Sequence, residues 1–119
     1  MSKDIRIKRA YEPPDPDDGR RILVERLWPR GVRKEVLKLD AWMKDVAPSD
    51  ALRRWFGHDP ARWAEFSKRY LTELREPEAT RAVRELRAFA RDGTLTLIYA
   101  ARDEAHNSAL VLRGVLQRR

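Results

Sequence analysis

Apolar and basic residues alternate through Ile5-Arg6-Ile7-Lys8-Arg9, the period of a strand with one face buried. Pro13, Pro14 and Pro16 are then interspersed with Asp15, Asp17 and Asp18 ahead of Gly19. Proline withholds its amide from helix and ladder alike, so residues 12–19 are expected as an irregular loop, with Asp15 to Asp18 a solvated turn. Ile22-Leu23-Val24 is a short continuous apolar run, expected as a strand buried on both faces. Trp28-Pro29-Arg30-Gly31 breaks it, and a short amphipathic segment follows through Val36, Leu37, Leu39, Trp42 and Met43.

Helical spacing dominates the middle of the chain. Ser49 is placed to cap a helix over Asp50 to Phe56, and Gly57 to close it in a left-handed conformation. Asp59-Pro60 pairs a cap with proline at the first helical position. Trp63, Phe66, Tyr70 and Leu74 then recur at spacings of three and four, one apolar face. Pro77 opens a further helix with Ala82, Val83, Leu86, Phe89 and Ala90 inward, ended by Gly93. Thr94 to Tyr99 is the clearest strand. Asp103 is expected to cap a last helix through Ala105, Ala109, Leu112, Val115 and Leu116, closing on Arg118 and Arg119.

The order strand, strand, helices, strand, helix implies an α/β fold, a small, mostly parallel sheet with helices packed on it. No repeat, low-complexity tract or long linker divides the chain, so residues 1–119 are expected as a single compact domain.

Composition narrows the setting. The 119 residues contain no cysteine, which removes disulfides, thiolate metal ligands and a cysteine nucleophile together. No apolar run approaches a bilayer's thickness, and Met1-Ser2-Lys3-Asp4 lacks the apolar core of a secretion signal. A cytoplasmic protein without a membrane partner is the expectation. The net charge of +7 favours anionic partners: nucleic acid, nucleotides or phosphorylated metabolites. A base-composition bias towards arginine codons produces the same excess without a function, so charge alone does not choose among them.

In open parallel sheets, ligands bind beyond the carboxyl ends of the strands. The second strand runs into Arg26, Trp28 and Arg30. Arginine's planar fork matches phosphate or carboxylate, and tryptophan offers a flat stacking face. The structural alternative makes Trp28 core and pairs both arginines with nearby carboxylates. The last strand runs into Ala100-Ala101-Arg102-Asp103 and then His106-Asn107. A helix start there presents free N–H groups, although the turn has no glycine and Asp103 is more simply a cap. His58 follows a helix stop, and Trp55 lies just before it. His58 and His106 are the two histidines and the acid–base candidates. They form no metal-ligand spacing with Asp59 or Asp103, so neither a metal nor a cofactor is assigned.

These segments together resemble the YeaO-like proteins, part of a wider bacterial and archaeal domain family of unknown function. The matching stretches are Arg26-Leu27-Trp28-Pro29-Arg30-Gly31, Trp55-Phe56-Gly57-His58-Asp59-Pro60 with Trp63, Phe66 and Arg69-Tyr70, and Tyr99-Ala100-Ala101 with Asp103, His106-Asn107 and Ala109. The resemblance implies a compact cytosolic α/β protein and supplies no activity. The wider family often carries a cysteine after the last strand and a Cys-His-Arg string at the next helix. Those positions fall at Ala100 or Ala101 and at Ala105 to Asn107, so only His106 carries over.

The leading expectation is a pocket for a small anionic ligand, phosphorylated or nucleotide-like. Arg26 and Arg30 would hold charge, Trp28 or Trp55 would stack, and His58, Asp103, His106 and Asn107 would make polar contacts. The alternatives are nucleic-acid binding on a basic face, and a protein-interaction module anchored by Trp55 and Phe56. Whether the protein is an enzyme, and its oligomeric state, stay open at this level.

Overall fold

The computed structural model describes residues 4–118. Arg119, expected in the basic close of the last helix, lies outside the described residues. Four strands, β1 (Ile5–Arg9), β2 (Arg20–Leu23), β3 (Ala41–Trp42) and β4 (Leu95–Tyr99), form one sheet. Its order is β1-β4-β2-β3 and every pair is parallel. The helices are α1 (Lys34–Leu37), α2 (Asp50–Phe56), α3 (Trp63–Glu73), α4 (Pro77–Asp92) and α5 (Ser108–Gln117). The α/β fold expected from the pattern is therefore present, with a wholly parallel sheet. Among the described residues, no helix is long and apolar enough to cross a membrane.

The two central strands are buried on both faces because helices or loops cover both. Alternation along β4 assigns the faces. Leu95, Leu97 and Tyr99 join Ile22, Val24, Phe66, Tyr70 and Leu86 in the main core. Ile98 and Leu23 point the other way, towards Leu37 and Ala10, as period-2 side chains must. The helix signals act as expected. The Ser49 side chain accepts the Leu52 N–H, and Gly57 closes α2 at φ 53°. Asp59 accepts the Ala61 N–H over a single 3-10 turn that leads into α3.

Three expectations need correcting. The segment through Leu39 and Trp42 is not one amphipathic unit: α1 stops at Leu37, and Ala41–Trp42 add a fourth strand at the sheet edge. Two residues are too few to show a period, so pairing with β2, not local pattern, makes this strand. Asp15 to Asp18 are not simply a solvated turn: residues Pro16–Asp18 form a 3-10 turn capped by Asp15. Asp18 is 4% exposed, takes Arg21 Nη1 at 2.6 Å and Lys8 Nζ at 3.0 Å, and its carbonyl accepts the Thr96 hydroxyl. The last helix starts at Ser108, and Asn107 caps it, with its side chain accepting the Leu110 N–H. Asp103 lies a turn earlier and serves a different purpose.

Candidate functional site

Because β2 and β4 are neighbours, the segments leaving their carboxyl ends emerge side by side. Val24 donates to the Ile98 carbonyl, and the chain then departs the sheet through Glu25. Glu25 reaches across to the other exit, where its Oε2 accepts the Ala100 N–H at 3.0 Å. Burial pushes this carboxyl up from its ordinary value, against the opposing pull of the Ala100 N–H and of Arg53. Sequence reading passed over Glu25, since a lone acid after a strand carries no motif.

Arg26 is committed to the frame. Its Nε donates to the Pro48 carbonyl at 2.8 Å and its Nη2 to the Ala47 carbonyl at 3.2 Å. It thereby ties the β2 exit to the turn before α2. Trp28 is half-buried, donates to the Val32 carbonyl and meets the Trp42 ring edge-on at 5.4 Å. Arg30 differs from both. Its carbonyl accepts the Tyr11 hydroxyl, but its guanidinium is exposed and has no ion-pair or hydrogen-bond partner among the described residues.

On the β4 side, Asp103 organises a turn. Its Oδ1 accepts the Ala105 and His106 N–H groups at 2.9 and 3.1 Å, and its Oδ2 lies 2.8 Å from His106 Nδ1. The Ala105 N–H first, and then the His106 ring, hold the Asp103 carboxyl below its ordinary value. Orientation through Nδ1 leaves Nε2 as the acceptor when the imidazole is neutral. The ring also meets Trp63 edge-on at 5.4 Å, and Trp63 stacks on Phe66, which stacks on Phe56 at 4.3 Å. An aromatic ladder thus supports the histidine from α2 and α3. Asn107 is spent on capping: its amide donates to the Asp103 and Glu104 carbonyls while its oxygen accepts the Leu110 N–H. Exposed Arg102 resembles Arg30 in having no partner among the described residues.

These two exits enclose a cavity of about 620 Å³. Arg26, Trp28, Arg30, His58, Asp103, His106 and Asn107 all line it. Trp55 does not. Its ring is flanked by the Arg62 and Arg69 guanidinium carbons, 5.2 and 4.2 Å from its centroid, and Phe56 is buried in the core. Trp55 is therefore not part of this cavity's wall, and Phe56 is not an exposed anchor. Sequence reading missed Glu25, Arg53, Phe66 and Arg102 in the lining. His58 stands at φ 59°, a costly conformation for a residue with a Cβ. Among the described residues, no group of three or more His, Asp or Glu is placed to hold a metal ion.

Fold and site together define a small α/β protein with an open pocket where its two central parallel strands end. Residues 4–119 match the family described as the inactive DUF488-N3 subclade, and the chain belongs to that family. It is 43% identical to the uncharacterised protein YeaO of Escherichia coli K12 over 113 residues, 95% of this chain and 96% of that one. It is 44% identical over 115 residues to an uncharacterised protein of Mycobacterium tuberculosis H37Rv and to another of Mycobacterium bovis, covering 97% of this chain and 95% of each relative. No solved structure matches the chain.

Proposed function

We propose that the cavity at the strand ends binds a small anionic ligand, phosphorylated or nucleotide-like, in the cytoplasm. The observation that carries this reading is the opening of two guanidiniums without partners among the described residues, Arg30 and Arg102, onto the same cavity as the turn before α5. A guanidinium without a carboxylate is available to a phosphate, for which its fork is shaped. The volume of about 620 Å³ falls within the ordinary range for small-molecule sites. Trp28 supplies a flat wall, and Asp103 orients His106 as a polar contact. His58 is a second polar contact, while Arg26 and Asn107 hold the walls in place. The description of the family as inactive and the absence of cysteine favour binding over catalysis.

The test is a thermal-shift series with inorganic phosphate, sugar phosphates and nucleotides. Ligand that binds only the folded state raises Tm by mass action, by about 2.7 kcal/mol of stability at a hundredfold excess over Kd. A concentration-dependent rise for phosphorylated compounds, reduced in Arg30→Ala, is expected. A flat response together with binding of DNA or RNA that falls steeply with salt would transfer the function to a basic face.

A further inference from the structure

Two carboxylates line the cavity, and the fold provides for them very differently. Asp103 has two backbone N–H donors and an imidazole. Glu25 has one backbone donor, on Oε2. No lysine or arginine forms an ion pair with it among the described residues, and Arg53 acts on it only through space. The adjacent cation is not used for this purpose either, because Arg26 turns away to the Ala47 and Pro48 carbonyls. A carboxyl withdrawn from water without matching donors is costly. A protein that needed only a hydrogen bond to Ala100 could obtain it from an amide or hydroxyl at lower cost. The remaining acceptor capacity of Glu25 faces a cavity whose wall also contains Trp28, a half-exposed surface suited to a planar ring.

Taking the anionic-ligand reading as its basis, we infer that Glu25 is the specificity-determining residue of the pocket: its carboxylate receives the N–H edge of a nitrogenous ring whose phosphate is held by Arg30 and Arg102, which makes the ligand a guanine-type nucleotide. Exposure orders the groups this way, with Glu25 half-buried and both arginines at the rim. A carboxylate is acceptor-only and takes two parallel N–H donors well. Guanine presents adjacent N1–H and N2–H donors. Hypoxanthine lacks the second of these. Adenine and cytosine set a ring acceptor beside their amine, which a carboxylate repels. A simple sugar phosphate leaves Glu25 unpaired, and a site built to bond an N–H discriminates strongly against analogues that lack it.

Calorimetric titration of the full chain with guanosine, inosine and adenosine monophosphates and with ribose 5-phosphate, at one pH and salt concentration, tests the inference. The guanine nucleotide should bind about tenfold or more tightly than either the inosine nucleotide or ribose 5-phosphate. Glu25→Gln should bring the guanine and inosine nucleotides within about threefold of each other, while ribose 5-phosphate affinity is retained. That retained affinity also reports that the variant is folded. Equal binding of the guanine nucleotide and ribose 5-phosphate, preference for the adenine nucleotide, or an undiminished guanine preference in Glu25→Gln would each overturn the assignment and leave the anion pocket standing. Failure of all four compounds to bind would remove the anion pocket itself.

Discussion

Glu25 Oε2 and the Ala100 N–H, 75 positions apart in sequence, meet at 3.0 Å and join the exits of the two central strands. Burial of the Glu25 carboxyl has a stability cost that depends on pH, which this contact only partly offsets. Burial holds the Glu25 carboxyl above its ordinary value of 4.5, so the folded state keeps the proton to a higher pH than the unfolded chain. Stability associated with this group is complete below 4.5 and declines as pH rises through the raised folded value. Glu25→Gln preserves an acceptor for Ala100 and removes the buried charge. Its Tm should exceed the parent's by about 1–3 °C at neutral pH, and the difference should vanish near pH 4. Melting curves of both proteins across that range check the sign.

Asp18 predicts the opposite trend. Although its burial works to raise it, the Asp15 N–H, Lys8 and Arg21 together hold its carboxyl below the ordinary 3.8. Its contribution is therefore present above 3.8 and lost as pH falls further, through the lowered folded value. Removing the carboxylate strands a buried Arg21, which is 4% exposed. Asp18→Ala should cost about 3–5 kcal/mol, read from denaturant unfolding at neutral pH.

These two acids also mark where the sequence was legible and where it was not. The two ends of α2 and the entry to α3 were readable because Ser49, Gly57 and Asp59 act within one or two turns of their own position, whereas the start of α5 was expected at Asp103 and lies at Ser108. The central strands were readable from the apolar residues that burial demands, although β2 starts two residues before the Ile22-Leu23-Val24 run, at Arg20, and β4 buries Thr96 among its apolar residues. The strand at Ala41–Trp42 was not, since its partner Ile22–Leu23 lies some 19 positions away and nothing local requires it. The cavity's location followed from parallel-sheet geometry, and most of its expected residues do line it. Their individual roles depend on distant partners: Arg26 on the Ala47 and Pro48 carbonyls, Trp55 on Arg62 and Arg69, Glu25 on Ala100. Spacing along the chain does not encode those pairings.

Gly19 sits at φ 62°, and a Cβ there would stand 2.2 Å from the Thr94 carbonyl oxygen. That carbonyl accepts the Arg20 N–H, the bond that starts the β2–β4 pairing. Both the backbone conformation and the close approach forbid a side chain. Gly19→Ala should destabilise by about 2–3 kcal/mol or more, measured by chemical denaturation, although it touches no residue of the cavity wall.

Arg26 and Arg30 lie four residues apart and should separate cleanly under mutation. Arg26→Ala breaks two charge-assisted bonds to carbonyls and should lose about 2 kcal/mol of stability. Arg30→Ala breaks no side-chain bond, should leave Tm within a degree or two, and should weaken phosphate binding about tenfold. Paired melting and phosphate-titration experiments distinguish a frame arginine from a ligand arginine.

The most direct measurement is residue-resolved amide NMR of the full chain during titration with inorganic phosphate. Binding at the strand ends predicts saturable shifts concentrated at residues 25–31 and 100–107, abolished in an Arg30→Ala, Arg102→Ala double variant. Shifts spread over the outer faces of α3 and α4, or unchanged in that variant, would contradict a pocket built where β2 and β4 end.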